Sequence, residues 1–515
     1  MTGDFLLMDN GSAVSAAAIP RRSIAEFSEN LILAVEHENG RLSSLFGVLP
    51  HEGADGEALR LYAVVSFPEL HKIGVLSAEL AGGSYASIGA RLPAAVPFER
   101  EIAEQFGVVP VGHPYLKPLR FQRSFTGRDV WGRAADADFT PRLDNGFKME
   151  GDSIHEVAVG PVHAGVIEPG HFRFQCCGET VYFLEIALGY QHRGVERRLI
   201  GGPDKLSGHY IETAAGDSTA AHATAYALAV EALSGATAPK SARLVRIAAL
   251  ELERIANHVG DLGALAGDVA YLPTSSFCGR LRGEYLNLTA ALCGNRFGRG
   301  LIVPGGISAR CGVDRRLAGR IVAGLDAVRS NTMDALNLLF DTPSALDRFE
   351  NTGVVAKSDA VALGMVGVAA RASGVARDVR LDFPSELQSC PPPLPALAAS
   401  GDVMARALVR FHEIAASGKL VRAALENWTD DADMLVAEKL TPGADRFAVS
   451  LVEGWRGEVC HAVLTGADGK FVRYKIVDPS FHNWQGLAMA LRSAQISDFP
   501  ICNKSFNLSY CGHDL

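Results

Sequence analysis

The sequence predicts an α+β protein, with a small α/β module at the N-terminus followed by a larger, mainly helical domain flanked by β structure. Three observations carry that expectation. At 515 residues the chain exceeds one ordinary core, since domains run to roughly 100–200 residues. Up to about residue 130, short apolar runs alternate with turns. Beyond that point apolar positions recur at helical spacing over about 218–235, 242–272 and 314–340. The expected domains are 1–130 and 154–515, joined by a linker, 131–153, where Gly, Pro, Asp and Asn interrupt any periodicity.

In chain order, "RLYAVVSF" and "KIGVLSAEL" read as strands, and "YASIGARLP" as a strand or short helix. "PFEREIAEQFGVVPVGHPYLKPLRF" (97–121) is a short helix stopped by Gly107 and followed by a His-Pro turn. By residue chemistry alone, its Glu99, Arg100, Glu101 and Glu104 form a solvated helix end. From 154 the chain alternates as a β-hairpin with Gly178 and Glu179 at the turn. "CPPPLP" (390–395) is a loop before the helix "GDVMARALVRFHEIAASGKL". Strands around 447–477 and a helix near 483–494 close the chain.

Composition narrows the function. A formal charge of -9 with no long Lys/Arg run argues against nucleic acid, whose phosphates need a basic face. No run approaches the roughly 18 apolar residues that span a bilayer, and no secretory signal opens the chain. A cytoplasmic location is expected. Nine cysteines, an odd number without a CxxC pair, fit neither a disulfide framework nor a metal cassette. They read as reduced core residues, with a redox role for the vicinal pair Cys176 and Cys177 as the lesser alternative.

Two groups of motifs carry chemistry. The first, Phe98-Glu99-Arg100-Glu101 followed by Phe106-Gly107 and Gly112-His113-Pro114, closely resembles the signature of the 30-kDa subunit of respiratory complex I. That resemblance implies a docking module without a cofactor. The second is "GPVHAGVIEPGHFRF" (160–174), with His163, Glu168 and His171 among glycines and prolines that impose tight turns. Histidines on a hairpin are more often plain hydrogen-bonding groups than catalysts. Yet "LGYQHRGVERRL", "ELERIANHVGDLGALAGDVAY", "LCGNRFGRGLIVPGG", "RASGVARDVR", "VEGWRGE" and "DPSFHNW" follow in order. Together they resemble the large subunit of group 4 membrane-bound nickel-iron hydrogenases, whose superfamily includes the 49-kDa subunit of complex I. The fusion of both modules resembles the formate hydrogenlyase and hydrogenase-4 large subunits in particular.

In those hydrogenases two CxxC pairs hold nickel through four thiolates, as a soft metal requires. The matching positions here are Ala215, Ser218, Ser509 and Gly512, with Cys511 one residue out of register. A methyl, two hydroxyls and a hydrogen atom do not replace four thiolates, so no metal is expected on this chain. In the complex I relative the same cavity receives a quinone headgroup from a hairpin histidine and a tyrosine. His171 is the counterpart of the first, whereas the tyrosine position falls on Gly216.

The resemblance therefore implies a large subunit of a membrane-associated, complex I-like or hydrogenase-related oxidoreductase without a nickel-iron centre. Its expected catalytic residues are Glu168, at the family's proton-transfer position, with His171 and Asp217. His163 and Ser218 are expected to line an acceptor cavity, with quinone the first candidate ligand. Asp217 and Ser218 have a second reading as the N-cap of the helix that follows. Expected partners are a small subunit carrying a 4Fe-4S cluster, a ferredoxin-like Fe-S subunit and antiporter-like membrane subunits that hold the chain on the inner membrane. The alternatives are a non-catalytic scaffold of such a complex and, less favoured, an active hydrogenase. His192, Arg193 and Glu196, and Arg254, Asn257 and His258, stand at helical spacing and read as a buried ion-pair lattice.

Overall fold

The computed structural model describes residues 4–49, 58–133, 146–163, 167–384, 390, 394–429 and 433–515. Most of the expected linker, from 134 to 145, lies outside these residues, as does part of the "CPPPLP" loop.

The N-terminal region builds an antiparallel sheet in the order Leu6–Met8, Lys72–Leu80, Leu59–Phe67, Arg41–Val48, with Arg21–Arg22 parallel to Lys72–Leu80. Two helices cover it. Ile24–His37 starts in a reciprocal capping box between Ser23 and Glu26, and Val96–Phe106 ends where Gly107 turns into the left-handed region at φ 69°. The strand Ser12–Ser15 crosses into a second sheet, ordered Phe471–Val477, Gly457–Thr465, Arg446–Gly454, Ser12–Ser15. The two sheets share one core, in which Tyr62 stacks between Phe46 and Phe447 at centroid distances of 5.8 and 5.6 Å.

The helix Val96–Phe106 corrects the sequence expectation. Glu99, Glu101 and Glu104 are fully buried rather than solvated. Glu99 accepts hydrogen bonds from the Ile88 and Gly89 amides at 2.8 and 2.9 Å, and Glu104 from the Arg120 amide at 2.9 Å. Both Glu101 oxygens are 2.7 Å from Lys475 Nζ, and Glu101 also pairs with Arg120. Burial alone would raise the Glu101 pKa, but Lys475 and Arg120 outweigh it and hold the carboxyl at about 2. Lys475 also meets Glu196 at 2.9 Å, so the bridge joins the N-terminal helix to the C-terminal sheet. Its partners lie hundreds of positions apart in the chain, beyond any local pattern.

The expected hairpin is present as Thr180–Ala187 beside His171–Cys177, which also pairs with Ile154–Val159. The helical body contains Thr219–Ser234, Lys240–Asp268, Leu272–Cys293, Arg315–Phe340 and Val403–Glu426. Lys240–Asp268 packs against Leu272–Cys293 and Val403–Glu426 and buries Leu252, Ile255, Val259 and Leu262. Leu272–Cys293 was not expected, because its Ser and Gly content weakens the local signal; burial of Cys278, Leu281, Tyr285 and Leu292 supplies what propensity lacks. No helix among the described residues is long and apolar enough to cross a membrane.

Candidate functional site

The turn 213–218 delivers Ala215, Asp217 and Ser218 to the start of the Thr219–Ser234 helix. Ser218 occupies the N-cap position, but its side chain makes no cap bond. The cap comes from a neighbouring helix instead. Glu253 accepts hydrogen bonds from the Ala220 and Ala221 amides at 2.7 and 3.3 Å, placing a carboxyl group on the helix N-terminus. Burial raises the Glu253 pKa to about 8; Asp217 pushes it the same way, against the two amide donors.

Asp217 faces Arg456, which meets both carboxylate oxygens at 2.5 and 2.7 Å and reaches Ser218 Oγ at 3.3 Å. The Arg456 guanidinium lies 3.8 Å from the centre of the Trp455 ring. Trp455 Nε1 and Asn257 Nδ2 donate to the Asp217 carbonyl at 2.9 and 3.0 Å, so the turn is fixed from three sides.

The C-terminus forms the opposite wall. Ser509 caps the final helix by accepting from the Gly512 amide at 2.9 Å, and its own amide donates to Ser480 Oγ at 2.8 Å. A Cβ on Gly512 would sit 2.6 Å from the Asp478 carboxyl carbon, so only glycine fits there. Glu168 accepts from the Tyr510 amide at 3.2 Å. Cys511 is 3.3 Å from Ser509 Oγ and touches Glu168 and the Gly216 backbone. Burial first, then Glu168, pushes its pKa up to about 11, which keeps it a thiol. The two segments of small residues thus face one another across Cys511 and Arg456.

Beside this pocket lies an open cleft of ≈ 380 Å³, lined by His163, Phe172, Phe499, Asn503, Lys504 and Tyr510 among others. His163 Nε2 is 2.8 Å from the Gly170 carbonyl oxygen, which fixes its ring 5.7 Å from that of Phe172. Gly170 admits the Tyr510 ring, because a Cβ there would approach Cε1 to 2.6 Å. The Tyr510 hydroxyl is buried beside the Asn503 side chain, which acts on it to lower its pKa but stands outside hydrogen-bonding geometry, as does every other described residue. Burial raises its pKa to about 12.

His171 stands elsewhere. Alternation along its strand turns Phe172, Phe174 and Cys176 into the helical core and His171 and Arg173 to the other face. There burial, and next Arg173, lower the His171 pKa, with Glu185 and Glu156 acting against them. No hydrogen bond joins His171 to Glu168 or Asp217 among the described residues, and it does not line the cleft.

Of the expected ion-pair lattice, Glu196 pairs with Lys475 and Arg473, whereas Arg193 is exposed and donates to the Thr213 and Ala214 carbonyls and His192 makes no ion pair among the described residues. Around Lys240–Asp268 the lattice is present at Arg254 and His258. His258 is 2.8 Å from Glu413, Arg371 bridges Glu413 and Glu453 at 2.6 and 2.8 Å, and Arg254 meets Glu251 at 3.1 Å. Asn257 instead serves the Asp217 turn. Sequence reasoning missed Arg456, Glu253, Asp478 and Tyr510 as site groups. Arg456 and Asp478 stand inside the motifs "VEGWRGE" and "DPSFHNW", and Tyr510 among small residues in "LSYCG".

Comparison with known proteins matches residues 268–447 to the family of the 49-kDa subunit of respiratory-chain NADH dehydrogenase. Formate hydrogenlyase subunit 5 of Escherichia coli is 29% identical over 444 residues, covering 83% of this chain and 76% of that protein. The carbon monoxide-induced hydrogenase of Rhodospirillum rubrum is 29% identical over 356 residues, covering 69% of this chain and 98% of its own. The fused C/D protein of the NADH-quinone oxidoreductase of Bdellovibrio bacteriovorus is 24% identical over 469 residues, covering 83% of this chain and 83% of that protein. With matches to fused subunits of both kinds across most of its length, the chain is similar to the large subunits of the fused group 4 hydrogenase and complex I type.

Proposed function

We propose that the chain forms, with an Fe-S small subunit, the cavity in which electrons from that subunit's cluster reach a quinone-type acceptor. The complex would sit on the membrane through antiporter-like subunits and couple the redox step to ion translocation. The observation that carries this reading is the ≈ 380 Å³ cleft with an unpartnered Tyr510 hydroxyl, whose backbone is tied to Glu168. A buried hydroxyl without a partner costs stability unless a ligand satisfies it. The rings of Phe172 and Phe499 offer apolar faces for a planar headgroup, and His163 and Asn503 stand in the same lining. A quinone would accept electrons there; Tyr510 would donate to one of its oxygens, His163, whose Nε2–H is given to the Gly170 carbonyl, would accept through Nδ1 from a hydroxyl of the quinol, and Glu168 would position Tyr510. Asp217 would keep Arg456 in place at the neighbouring pocket.

A thiolate-bound nickel does not fit the residues present. Ser218 Oγ is bound by Arg456, Ser509 Oγ by the Gly512 amide, Gly512 has no side chain, and Ala215 offers a methyl.

The test is reduction of decylubiquinone by the purified complex. Tyr510→Phe and His163→Ala should each lower the rate, and a full rate in both would overturn the cleft assignment. His171→Ala tests the residue expected from the resemblance: an unchanged rate removes His171 from the site. The second reading, a scaffold, is favoured by the Asp217–Arg456 pair sealing the old ligand positions. It predicts a complex in which no acceptor binds this cleft.

A further inference from the structure

Between the Thr219–Ser234 helix and the C-terminal sheet runs a line of four polar side chains, all with no solvent exposure. His222 Nε2 lies 3.1 Å from Asp478 Oδ2, and His222 Nδ1 lies 3.1 Å from His461 Nε2. His461 Nδ1 lies 2.8 Å from the Tyr474 hydroxyl. The Tyr474 end sits in an apolar cluster with Tyr226, Ala229, Val463 and Phe471. Burying linked polar groups in such a core is costly unless every one is satisfied. Here each ring nitrogen has a partner in line.

The two ends have different company. Asp478 accepts from the Ser480 amide at 2.8 Å, backs onto Gly512 and feels the charge of Arg456, so it opens on the pocket already described. At the other end the Tyr474 ring lies 6.3 Å from that of Tyr226. The Tyr226 hydroxyl stands beside Ser207, and Ser207 Oγ donates to the exposed Asp204 at 2.9 Å. Tyr474 also neighbours Cys460, a group whose proton is held firmly by burial.

We propose that Asp478, His222, His461 and Tyr474 form a proton relay between the pocket at Arg456 and Gly512 and the surface at Asp204. The use assigned to it rests on the acceptor-cavity reading, since reducing a quinone to a quinol consumes protons.

The atoms balance. At rest Asp478 is ionised: burial opposes this, but the His222 hydrogen bond and Arg456 outweigh it. His222 donates its Nε2–H to Asp478, His461 donates its Nε2–H to His222 Nδ1, and Tyr474 donates its O–H to His461 Nδ1. When a proton reaches the Tyr474 oxygen from the Tyr226 side, the tyrosine proton passes to His461 Nδ1. The Nε2 proton of His461 then moves to His222 Nδ1, and the Nε2 proton of His222 moves to Asp478. One proton has entered and one carboxyl is protonated. Both imidazoles end neutral in the other tautomer, and reorientation of the rings or the reverse hop resets the line. His461 suits a neutral carrier, since burial and then His222 hold its pKa well below the usual histidine range.

Two measurements test this. In the intact complex reducing decylubiquinone, Tyr474→Phe removes one hydroxyl and keeps the ring. The expected result is at least a tenfold loss of kcat, unchanged KM and an altered solvent deuterium isotope effect. A rate and isotope effect equal to wild type, repeated in His461→Gln, would overturn the relay. Independently of turnover, nitrogen NMR of the histidine-labelled chain should show one proton shared between His222 Nδ1 and His461 Nε2, and Tyr474→Phe should bias it. Absence of that shared proton would overturn the proposal even in an active complex. A wild-type complex that reduces no acceptor while the shared proton is seen would instead remove the functional reading and leave the relay standing.

Discussion

Two buried charged regions lie next to each other in this molecule and are built on opposite rules. In the lattice around Arg371, charge meets charge: Arg371, Arg254 and Arg380 face Glu413, Glu453, Glu251 and Asp378, and all are buried. In the pocket, a single guanidinium, Arg456, faces Asp217 and Asp478, and the remaining partners are imidazoles and hydroxyls. Asp217 keeps 32% of its side-chain exposure, whereas the lattice carboxylates keep almost none. The first arrangement sets charge against charge between helices; the second sets one charge pair beside a line of neutral donors and acceptors.

The comparison is broken or sustained most sharply by Arg371→Met. It leaves Glu413 and Glu453 buried without their shared cation, and breaking such a pair costs about 3–5 kcal/mol. Thermal or urea unfolding should show that loss, and a cost near zero would mean the lattice does not hold the helices. Arg456→Met should cost less, about 1–3 kcal/mol, because water can reach Asp217 once its partner is gone. Equal costs for the two variants would erase the distinction between the regions.

The difference between the regions also explains what was legible beforehand. Helical periodicity located the Thr219–Ser234, Lys240–Asp268 and Arg315–Phe340 helices, because each buries an apolar stripe that repeats locally. The lattice residues Arg254 and His258 were visible as well, since they stand at helical spacing on a buried face. Glu101 was misread because its partners, Lys475 and Arg120, come from distant segments. The cap of the Thr219–Ser234 helix was misplaced for the same reason: Glu253 does from a second helix what Ser218 was expected to do from the first. The cleft joins His163 to Phe499 and Tyr510, segments more than 300 positions apart, and no local pattern encodes that meeting. The fused character of the chain was legible because its motifs are short and ordered along the sequence.

The titratable character of the pocket gives a pH prediction. Glu253 has a folded pKa of about 8, raised from the ordinary carboxylate value. The folded state therefore binds more protons than the unfolded state between those values, so this group's contribution to stability declines as pH rises through them. Urea midpoints measured at about pH 6 and about pH 9 should fall with pH, and Glu253→Gln should flatten that fall while keeping an acceptor for the Ala220 amide. An unchanged slope in the variant would show that Glu253 titrates normally and that the pocket holds its charge as the lattice does.

The smallest expected effect on stability is the most specific for function. Tyr510→Phe removes a hydroxyl that has no partner among the described residues and keeps the ring that packs 4.9 Å from Trp484. A satisfied hydrogen bond would cost roughly 0.5–1.5 kcal/mol to delete, but an unsatisfied buried hydroxyl should cost nothing or stabilise slightly. The unfolding midpoint of the variant should therefore equal or exceed that of wild type. A clear loss of stability would mean that Asn503 already satisfies the hydroxyl and that the cleft has no donor to spare. A neutral result together with weaker quinone-analogue binding would separate the two regions fully, one holding the fold and the other a ligand.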